Sequence, residues 1–237
     1  MEGTTMSDNF QNIFTTNNPP SGASRLAEHK FGYNPSLATG QWETIWDGSN
    51  IYTYASTPGP ATVTSSDSDD NGGTVQVFGL DENYDTVSEI ITIGGSAGTQ
   101  TFSRVYRARM YSANTGDVNV GDISVTVDSV QVAKIRIGYG QTLMTVFTTP
   151  RNYRGFLVQI DLGSQKDAEH EVRFITREID NGNTWNTRTL ITLRGGFMEK
   201  GFSAPILILP KTDMEIQAYA SNTSAMSASF EMYLQRI

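Results

Sequence analysis

The residues that could carry catalysis are few in this chain. It has no cysteine and only two histidines, His29 and His170, among 237 residues. The absence of cysteine excludes a thiol nucleophile, a zinc–thiolate site and an iron–sulfur cluster, and two histidines leave little imidazole chemistry. No glycine-rich phosphate loop and no G-x-S-x-G nucleophile motif occurs in the sequence. The composition therefore argues against most enzymes, and we expect a protein that is not an enzyme and needs no cofactor.

One short segment matches the first half of a calcium-binding loop. In residues 67–72, the oxygen-bearing side chains of Asp67, Asp69 and Asn71 stand at loop positions 1, 3 and 5, and a glycine stands at position 6. Position 12, where a bidentate glutamate belongs, is Phe78. A solvated acidic turn between strands is the favoured interpretation, with calcium binding as the alternative.

A second candidate is the run Glu169, His170 and Glu171, because glycosidases use two carboxylates. Alternation along a strand would place Glu169 and Glu171 on one face and His170 on the other. The pattern is therefore more typical of a solvated strand end than of an acid–base site, and the remaining carboxylates form no pair by spacing.

Arginines and aromatic residues alternate irregularly in residues 102–111, which include Arg104, Arg107 and Arg109. Arginine and tyrosine are enriched in protein interfaces, so this segment could form a subunit contact. The alternative is a half-exposed strand whose arginines meet acidic residues of the N-terminal half of the chain.

Aromatic residues also cluster at Trp42, Trp46, Tyr52 and Tyr54. Trp42 and Trp46 are predicted to be core or interface anchors, since large aromatic side chains serve in both places. A further alternative is a sugar-binding platform that uses Trp42, Trp46 or Trp185.

The elements that position these residues are predicted to be strands. From residue 51 onward, short segments of period-two or β-rich composition are separated by Gly, Pro, Asn or Asp. Residues 74–80 and 86–93 flank a five-residue loop and predict a hairpin, and Asp128-Ser129 predicts a tight turn.

In the second half, apolar and polar residues alternate in Phe156–Leu162 and again in residues 213–220 and 228–235, which predicts a sheet with one wet face. With 142–149, 171–179, 187–193 and 206–209, this gives about seven short strands, the number expected for a β-sandwich or jelly roll. We therefore predict an all-β protein with two β-sandwich or jelly-roll-like domains, at 41–140 and 141–237.

An extended N-terminal arm is predicted before them, at residues 1–40. This segment is polar and rich in turn residues, and Pro19-Pro20 prevents a regular helix or a central strand there. Its apolar anchors need a surface to pack on, either on the chain's own sandwich or on a neighbouring subunit. The anchors predicted to make an interface are Phe10, Ile13, Phe14, Phe31 and Tyr33.

Charge is distributed unevenly along the chain. Residues 1–100 hold twelve acidic residues against Arg25 and Lys30, whereas the rest carries a small excess of cations, and the formal net charge is −8. An acidic protein without a lysine–arginine stripe binds nucleic acid poorly, because phosphate neutralisation supplies most of that affinity. No apolar run is long enough to span a membrane, so we expect neither nucleic acid nor membrane as a partner.

Several short motifs follow one another in a recognisable order over residues 32–237. They are Gly32-Tyr33-Asn34-Pro35, 43–48 (Glu-Thr-Ile-Trp-Asp-Gly), Tyr52, 77–84 (Val-Phe-Gly-Leu-Asp-Glu-Asn-Tyr), 102–105 (Phe-Ser-Arg-Val), 119–123 (Asn-Val-Gly-Asp-Ile), 140–144 (Gly-Gln-Thr-Leu-Met) and 210–213 (Pro-Lys-Thr-Asp). Their order resembles a family of virion structural proteins of tailed bacteriophages, many of them marine.

The resemblance implies a place in a virus particle and no reaction, and it transfers no site residues. It leaves head decoration, head fibre and tail attachment open, and of these we expect a capsid decoration or cement protein, made in the host cytoplasm and located in the virion. Its expected partners are further copies of itself, as a trimer, and the major capsid protein. A tail or head-to-tail accessory protein that contacts tail or portal proteins is the alternative, followed by a carbohydrate- or receptor-binding knob.

Overall fold

The computed structural model describes residues 25–237, apart from the side chains of residues 25, 166 and 167. Over this range the chain forms strands and a single 3-10 turn, Ser68–Asp70, which confirms the all-β class. The strands are β1 (Arg25–Leu37), β2 (Trp42–Thr44), β3 (Gly59–Pro60), β4 (Thr62–Ser65), β5 (Thr74–Leu80), β6 (Thr86–Thr92), β7 (Thr101–Phe102), β8 (Arg104–Ser112), β9 (Ile123–Val127), β10 (Val130–Ile135), β11 (Phe147–Thr148), β12 (Tyr153–Glu178), β13 (Trp185–Ile208), β14 (Thr212–Ala220) and β15 (Ser224–Arg236). No helix in residues 25–237 is long and apolar enough to cross a membrane.

One large sheet contains seven strands in the order β1-β15-β12-β14-β11, with β13 on β12 and β2 on β14. Strand β12 is the central strand of this sheet, and both of its edges are paired. One edge pairs with β13 along most of its length. The other side pairs first with β15 and then, from His170 onward, with β14.

Four of the predicted short strands merge in pairs, so that each pair is part of one long strand. Segments 156–162 and 171–179 both belong to β12, and segments 187–193 and 206–209 both belong to β13, except for the last residue of each pair. Gly195 and Gly196 have φ values of 62° and 79° and lie where the β12–β13 register shifts. Positive φ at adjacent glycines here accompanies a bulge within the hairpin, so the strand continues.

Within the described residues, strands β3 to β10 form three smaller sheets: β6-β5-β8, β10-β9-β4 and β3-β7. The hairpin predicted for 74–80 and 86–93 is confirmed as β5 and β6, which pair from Thr74↔Thr92 to Leu80↔Thr86. The tight turn is also confirmed, since Asp128 and Ser129 have φ values of 50° and 63° between β9 and β10. Such positive φ values at both central residues match the twist of a two-residue hairpin.

Two hydrophobic cores lie within the described residues. The first core is formed mainly by residues of the small sheets, and the second core mainly by residues of the large sheet. The chain passes between them at two places where sequence neighbours face opposite ways. Ile45 belongs to the second core and Trp46 to the first, while Val146 belongs to the first and Phe147 to the second. The domain bounds 41–140 and 141–237 stay a prediction.

Part of the predicted arm is a strand of this chain's own large sheet. Residues 25–37 form β1 and pair in antiparallel register with β15, from Arg25↔Gln235 to Leu37↔Ser224. Leu37 is fully buried in the second core. Before the register shift between Asn34 and Leu37, Lys30, Gly32 and Asn34 are buried, so period-two alternation turns His29, Phe31 and Tyr33 to the outer face. Residues 1–24, with the predicted anchors Phe10, Ile13 and Phe14, lie outside the described residues.

Candidate functional site

The acidic turn at 67–72 is tied to its own backbone. Asp67 caps the 3-10 turn, because its Oδ1 accepts a hydrogen bond from the amide of Asp69 at 2.9 Å. The neighbouring Asp70 is buried and accepts from the amides of Val120 at 2.9 Å and Gly121 at 2.8 Å. Within residues 25–237 no three acidic, histidine or cysteine side chains come together as a metal cluster. The arrangement fits a turn that fastens the 119–121 loop.

The run Glu169, His170 and Glu171 lies in β12 with alternating sides. Both glutamates are exposed, whereas His170 is buried and its Nε2 lies 2.8 Å from the hydroxyl of Ser224. Burial lowers the pKa of His170. The imidazole therefore faces away from both carboxylates, and the three residues form no acid–base cluster.

The polar face of β14 was predicted to be wet, and this prediction is wrong. Asp213, Glu215 and Gln217 are buried, because the first core and its strands cover this face. Period-two alternation distinguishes two faces of a strand, but it does not tell whether a later-packed layer covers the polar one.

Asp213 is the centre of this buried polar layer. Its Oδ1 accepts from Arg104 Nε at 2.8 Å and from the Thr148 hydroxyl at 2.7 Å, and its Oδ2 accepts from Arg177 Nε at 3.1 Å. Burial acts to lower the pKa of Arg104, but the hydrogen bond and charge of Asp213 outweigh it and raise that pKa. Arg104 on β8 therefore links Asp213 to a strand of the first core, whereas Arg177 on β12 belongs to the same sheet as Asp213.

Aromatic rings and a second carboxylate complete the layer. The guanidinium carbons of Arg104 and Arg177 lie 4.9 and 4.8 Å from the ring centroid of Tyr54. Glu215 accepts from the hydroxyl of Thr44 at 2.8 Å and from the amide of Gln217 at 3.0 Å. Burial raises the pKa of Glu215, and these hydrogen bonds oppose it. Both carboxylates are closed off from solvent and occupied by protein donors.

The three arginines of β8 take different roles. Arg104 belongs to the buried layer, and Arg107 donates to Glu28 Oε1 on β1 at 3.0 Å. Arg109 is exposed and donates to Gln76 at 2.9 Å. Arg107 therefore fits the predicted pairing with an N-terminal acid, while Arg104 binds a C-terminal one. Their role in a subunit contact stays a prediction.

The tryptophans do not form a shared platform. Trp46 is buried in the first core, and Trp42 packs under the guanidinium of Arg173, 4.1 Å from its ring centroid. Trp185 is partly exposed and lies beside Arg177, at the start of β13.

Strand β13 is exposed to an unusual extent. Only Leu193 and Ile208 are buried among its 24 residues, and within the described chain its outer edge has no partner strand. Strands are usually about 3–10 residues long. Large apolar side chains on β13 are also exposed: Leu190 (57%), Phe197 (70%) and Leu207 (43%). An uncovered edge of this kind offers a row of backbone donors and acceptors to another chain.

A groove of about 430 Å³ lies on the outer face of the large sheet. Strands β1, β15, β12 and β13 form its floor, and Phe31 and Tyr33 line one wall. Phe197 of β13 stands on the far side, and Tyr139 contributes from the loop after β10. Sequence reasoning selected Phe31 and Tyr33 as anchors, but it missed Asp161 and Phe197, because only strand register brings them together.

Comparisons with known proteins place the chain in no family. No family model matches it, and no curated protein matches it. Among solved structures, 90% of this chain aligns with 72% of a chain of infectious bursal disease virus Gt strain, at 8% identity and a TM-score of 0.21. The VP2 subviral particle of infectious bursal disease virus aligns over 89% of this chain and 76% of that chain, at 9% identity and a TM-score of 0.20.

A third structure, described as carbohydrate-binding modules from the β-sandwich superfamily, aligns over 92% of this chain and 98% of that chain. Its identity is 12% and its TM-score is 0.16. TM-scores this low establish no shared fold and carry no functional argument. The function is therefore argued from the chain's own residues.

Proposed function

We propose that this chain is a non-enzymatic structural protein of a bacteriophage virion, and more narrowly a capsid decoration or cement protein. The observation that carries the proposal is the long uncovered edge of β13, with only Leu193 and Ile208 buried among its 24 residues. A subunit that functions within a lattice has a use for such an edge, whereas a free monomer is liable to aggregate through it.

A second copy of this chain is the proposed partner of the β13 edge. Backbone N–H and C=O groups of the two strands would pair, as in other cases of strand addition to a sheet. Leu190 and Leu207, both exposed, would pack against side chains of the added strand. Closed symmetry multiplies such weak contacts, and we propose a trimer by resemblance to decoration proteins.

The enclosed carboxylates support a structural role over a catalytic one. Asp213 is bound by two arginines and Glu215 by Thr44 and Gln217, so neither is open to a substrate. In a catalytic pair of carboxylates, an acid and a base or nucleophile must both reach the bond that breaks. Here both carboxylates are engaged by donors of the protein, and Asp213 is tied to Arg104 on β8.

Residues 1–24 are proposed to contact the neighbouring capsid subunit through Phe10, Ile13 and Phe14. A chain that lacks 1–24 keeps all of β1, so its fold can be compared directly with that of the full chain. We expect the truncated protein to stay folded and to lose binding to capsids.

The proposal is tested with particles that lack the protein. Heads without it should release their DNA at a lower temperature or lower pressure, and addition of the purified chain should restore their resistance. Heads of equal resistance with and without the protein would contradict a cement role. Attachment restricted to the tail or the portal vertex in electron micrographs would favour the tail accessory alternative.

A further inference from the structure

The groove on the outer face of the large sheet has small residues between aromatic walls. Tyr33 on β1 lies opposite Ser227 on β15, and Ser227 lies opposite Gly163 on β12. Gly163 in turn lies opposite Phe197 on β13. Side chains directly across neighbouring strands share a face, so a small central pair between two large rings leaves a trough.

A second row crosses the same trough and supplies polar groups. Phe31 lies opposite Ser229, and Ser229 lies opposite Asp161. The Asp161 carboxylate is held in place, because Oδ1 accepts from Gln159 Nε2 at 2.9 Å and Oδ2 accepts from the Ser229 hydroxyl at 3.0 Å. Each carboxylate oxygen can accept a further hydrogen bond from a ligand hydroxyl.

The charge around the trough selects against anions. Both partners of Asp161 are uncharged, and Glu199 and Glu231, on the two strands beside β12, are exposed on the same face. The guanidinium of Arg136 lies at one end, stacked 5.5 Å from the ring centroid of Tyr33 and 5.2 Å from that of Tyr139. A phosphate or an acidic sugar would meet the Asp161 carboxylate on the floor, with Glu199 and Glu231 on the neighbouring strands of the same face.

A neutral sugar matches all three features. The C–H face of a pyranose ring is apolar and slightly positive, and it stacks on the negative face of an aromatic ring. Its hydroxyls donate charge-assisted hydrogen bonds to a fixed carboxylate. The groove volume of about 430 Å³ lies within the range of small-molecule sites.

We propose that this groove is a binding site for a neutral oligosaccharide, with Phe31, Tyr33, Tyr139 and Phe197 as stacking surfaces and Asp161 as the hydroxyl acceptor. The site is separate from the three tryptophans. It does not depend on the virion proposal, although a surface sugar of the host cell is a ligand that a virion protein could meet.

The test uses the full chain and neutral trisaccharides of glucose, mannose, galactose and N-acetylglucosamine, first on an array and then by titration calorimetry. We expect at least one to bind. Phe197→Ala, at a 70% exposed position, and the isosteric Asp161→Asn should each weaken binding about tenfold. Tyr111→Ala is the matched control, because Tyr111 is 60% exposed on β8, outside the groove, and binding should not change.

Four results would overturn the proposal. One is no binding by any neutral trisaccharide, and another is equal binding by wild type and both groove variants. The third is a groove that is occupied by a second copy of the chain. In that case the wild type would bind no glycan, and Phe197→Ala would have a lower molecular mass in solution than the wild type. The fourth is binding only to acidic glycans, because the Asp161 carboxylate on the floor should repel such a ligand.

Discussion

Arg104 and Asp213 are 109 residues apart in sequence, yet Arg104 Nε donates to Asp213 Oδ1 at 2.8 Å. The contact joins β8, which packs on the first core, to β14, which packs on the second. Asp213 is fully buried and also accepts from Arg177. This ion pair connects a strand of the first core with a strand of the second.

Asp213→Asn should strongly destabilise the protein. The substitution leaves the guanidinium groups of Arg104 and Arg177, whose side chains are only 11% and 20% exposed, without their counter-charge, and breaking a buried pair from one side costs about 3–5 kcal/mol. Denaturant unfolding followed by circular dichroism measures the loss. Asp180→Asn is the control, because Asp180 pairs with Lys211 at 3.1 Å but is 64% exposed, so its loss should cost about 0–1 kcal/mol. Equal effects of the two substitutions would show that the buried link does not stabilise the fold.

The wild type should lose stability as pH rises from acidic to neutral values, and Asp47→Asn should remove this loss. Burial raises the pKa of Asp47 from 3.8 to about 7, although its Oδ2 accepts from the amide of Leu143 at 2.7 Å. The native state therefore holds this proton more tightly than the unfolded state, and stability falls as pH rises from about 4 to about 7. The variant should match the wild type at pH 4 and exceed it at pH 8, by at most about 4 kcal/mol.

Asp122→Asn supplies a comparison of opposite sign. A hydrogen bond from Lys134 is the main cause that lowers the pKa of Asp122. Its contribution to stability is therefore present above its usual pKa and is lost as pH falls, so its replacement should cost stability at neutral pH. Urea unfolding midpoints measured across the pH range check both variants. If the stability of Asp47→Asn fell with rising pH as steeply as that of the wild type, Asp47 would not be the group responsible.

Lys30→Met should change how the stability of the protein depends on pH on the alkaline side. Burial lowers the pKa of Lys30 from 10.5 to about 7, with Glu28 opposing this change. The unfolded state then binds the proton more tightly, so wild-type stability should rise as pH increases from about 7 to about 10.5. The methionine variant should lack this rise, whereas Lys200→Met, at an exposed position, should retain it. A rise that persists in Lys30→Met would assign it to another group.

Leu190→Lys combined with Leu207→Lys should convert the proposed trimer to a monomer. Both leucines are exposed on β13, and lysine on an edge strand opposes pairing with another chain. Because neither side chain is buried, thermal unfolding of the single chain should change little. Light scattering after size exclusion measures the mass, and Ile51→Lys, at a 54% exposed position away from β13, should leave it unchanged. An unchanged mass for the double variant would exclude β13 as the self-association edge.

Local patterns in the sequence predicted local structure well. The β5–β6 hairpin and the Asp128-Ser129 turn follow from period-two alternation and from residues that tolerate turn conformations, and both are confirmed. The length of β13 could not be predicted in this way, because Gly195 and Gly196 suggest a turn but form a bulge. A glycine pair permits either outcome, and pairing with β12 decides between them.

Features that depend on distant parts of the chain could not be predicted. Asp213 was assigned to a solvated face, because nothing near it in sequence indicates that Arg104 and Tyr54 cover it. Likewise, Asp161 and Phe197 share a groove only through the register of β12 with β13. Contacts between strands far apart in sequence carry no periodic signal along the chain.

The number of copies per virion distinguishes capsid decoration from a place at the tail. Quantitative mass spectrometry of purified particles, normalised to the major capsid protein, should give a ratio of roughly one, or roughly one third, as expected for a decoration protein that follows the capsid symmetry. A ratio of a few copies per hundred capsid subunits would contradict decoration and place the protein at the tail or a unique vertex. Absence from purified particles would contradict a virion role altogether.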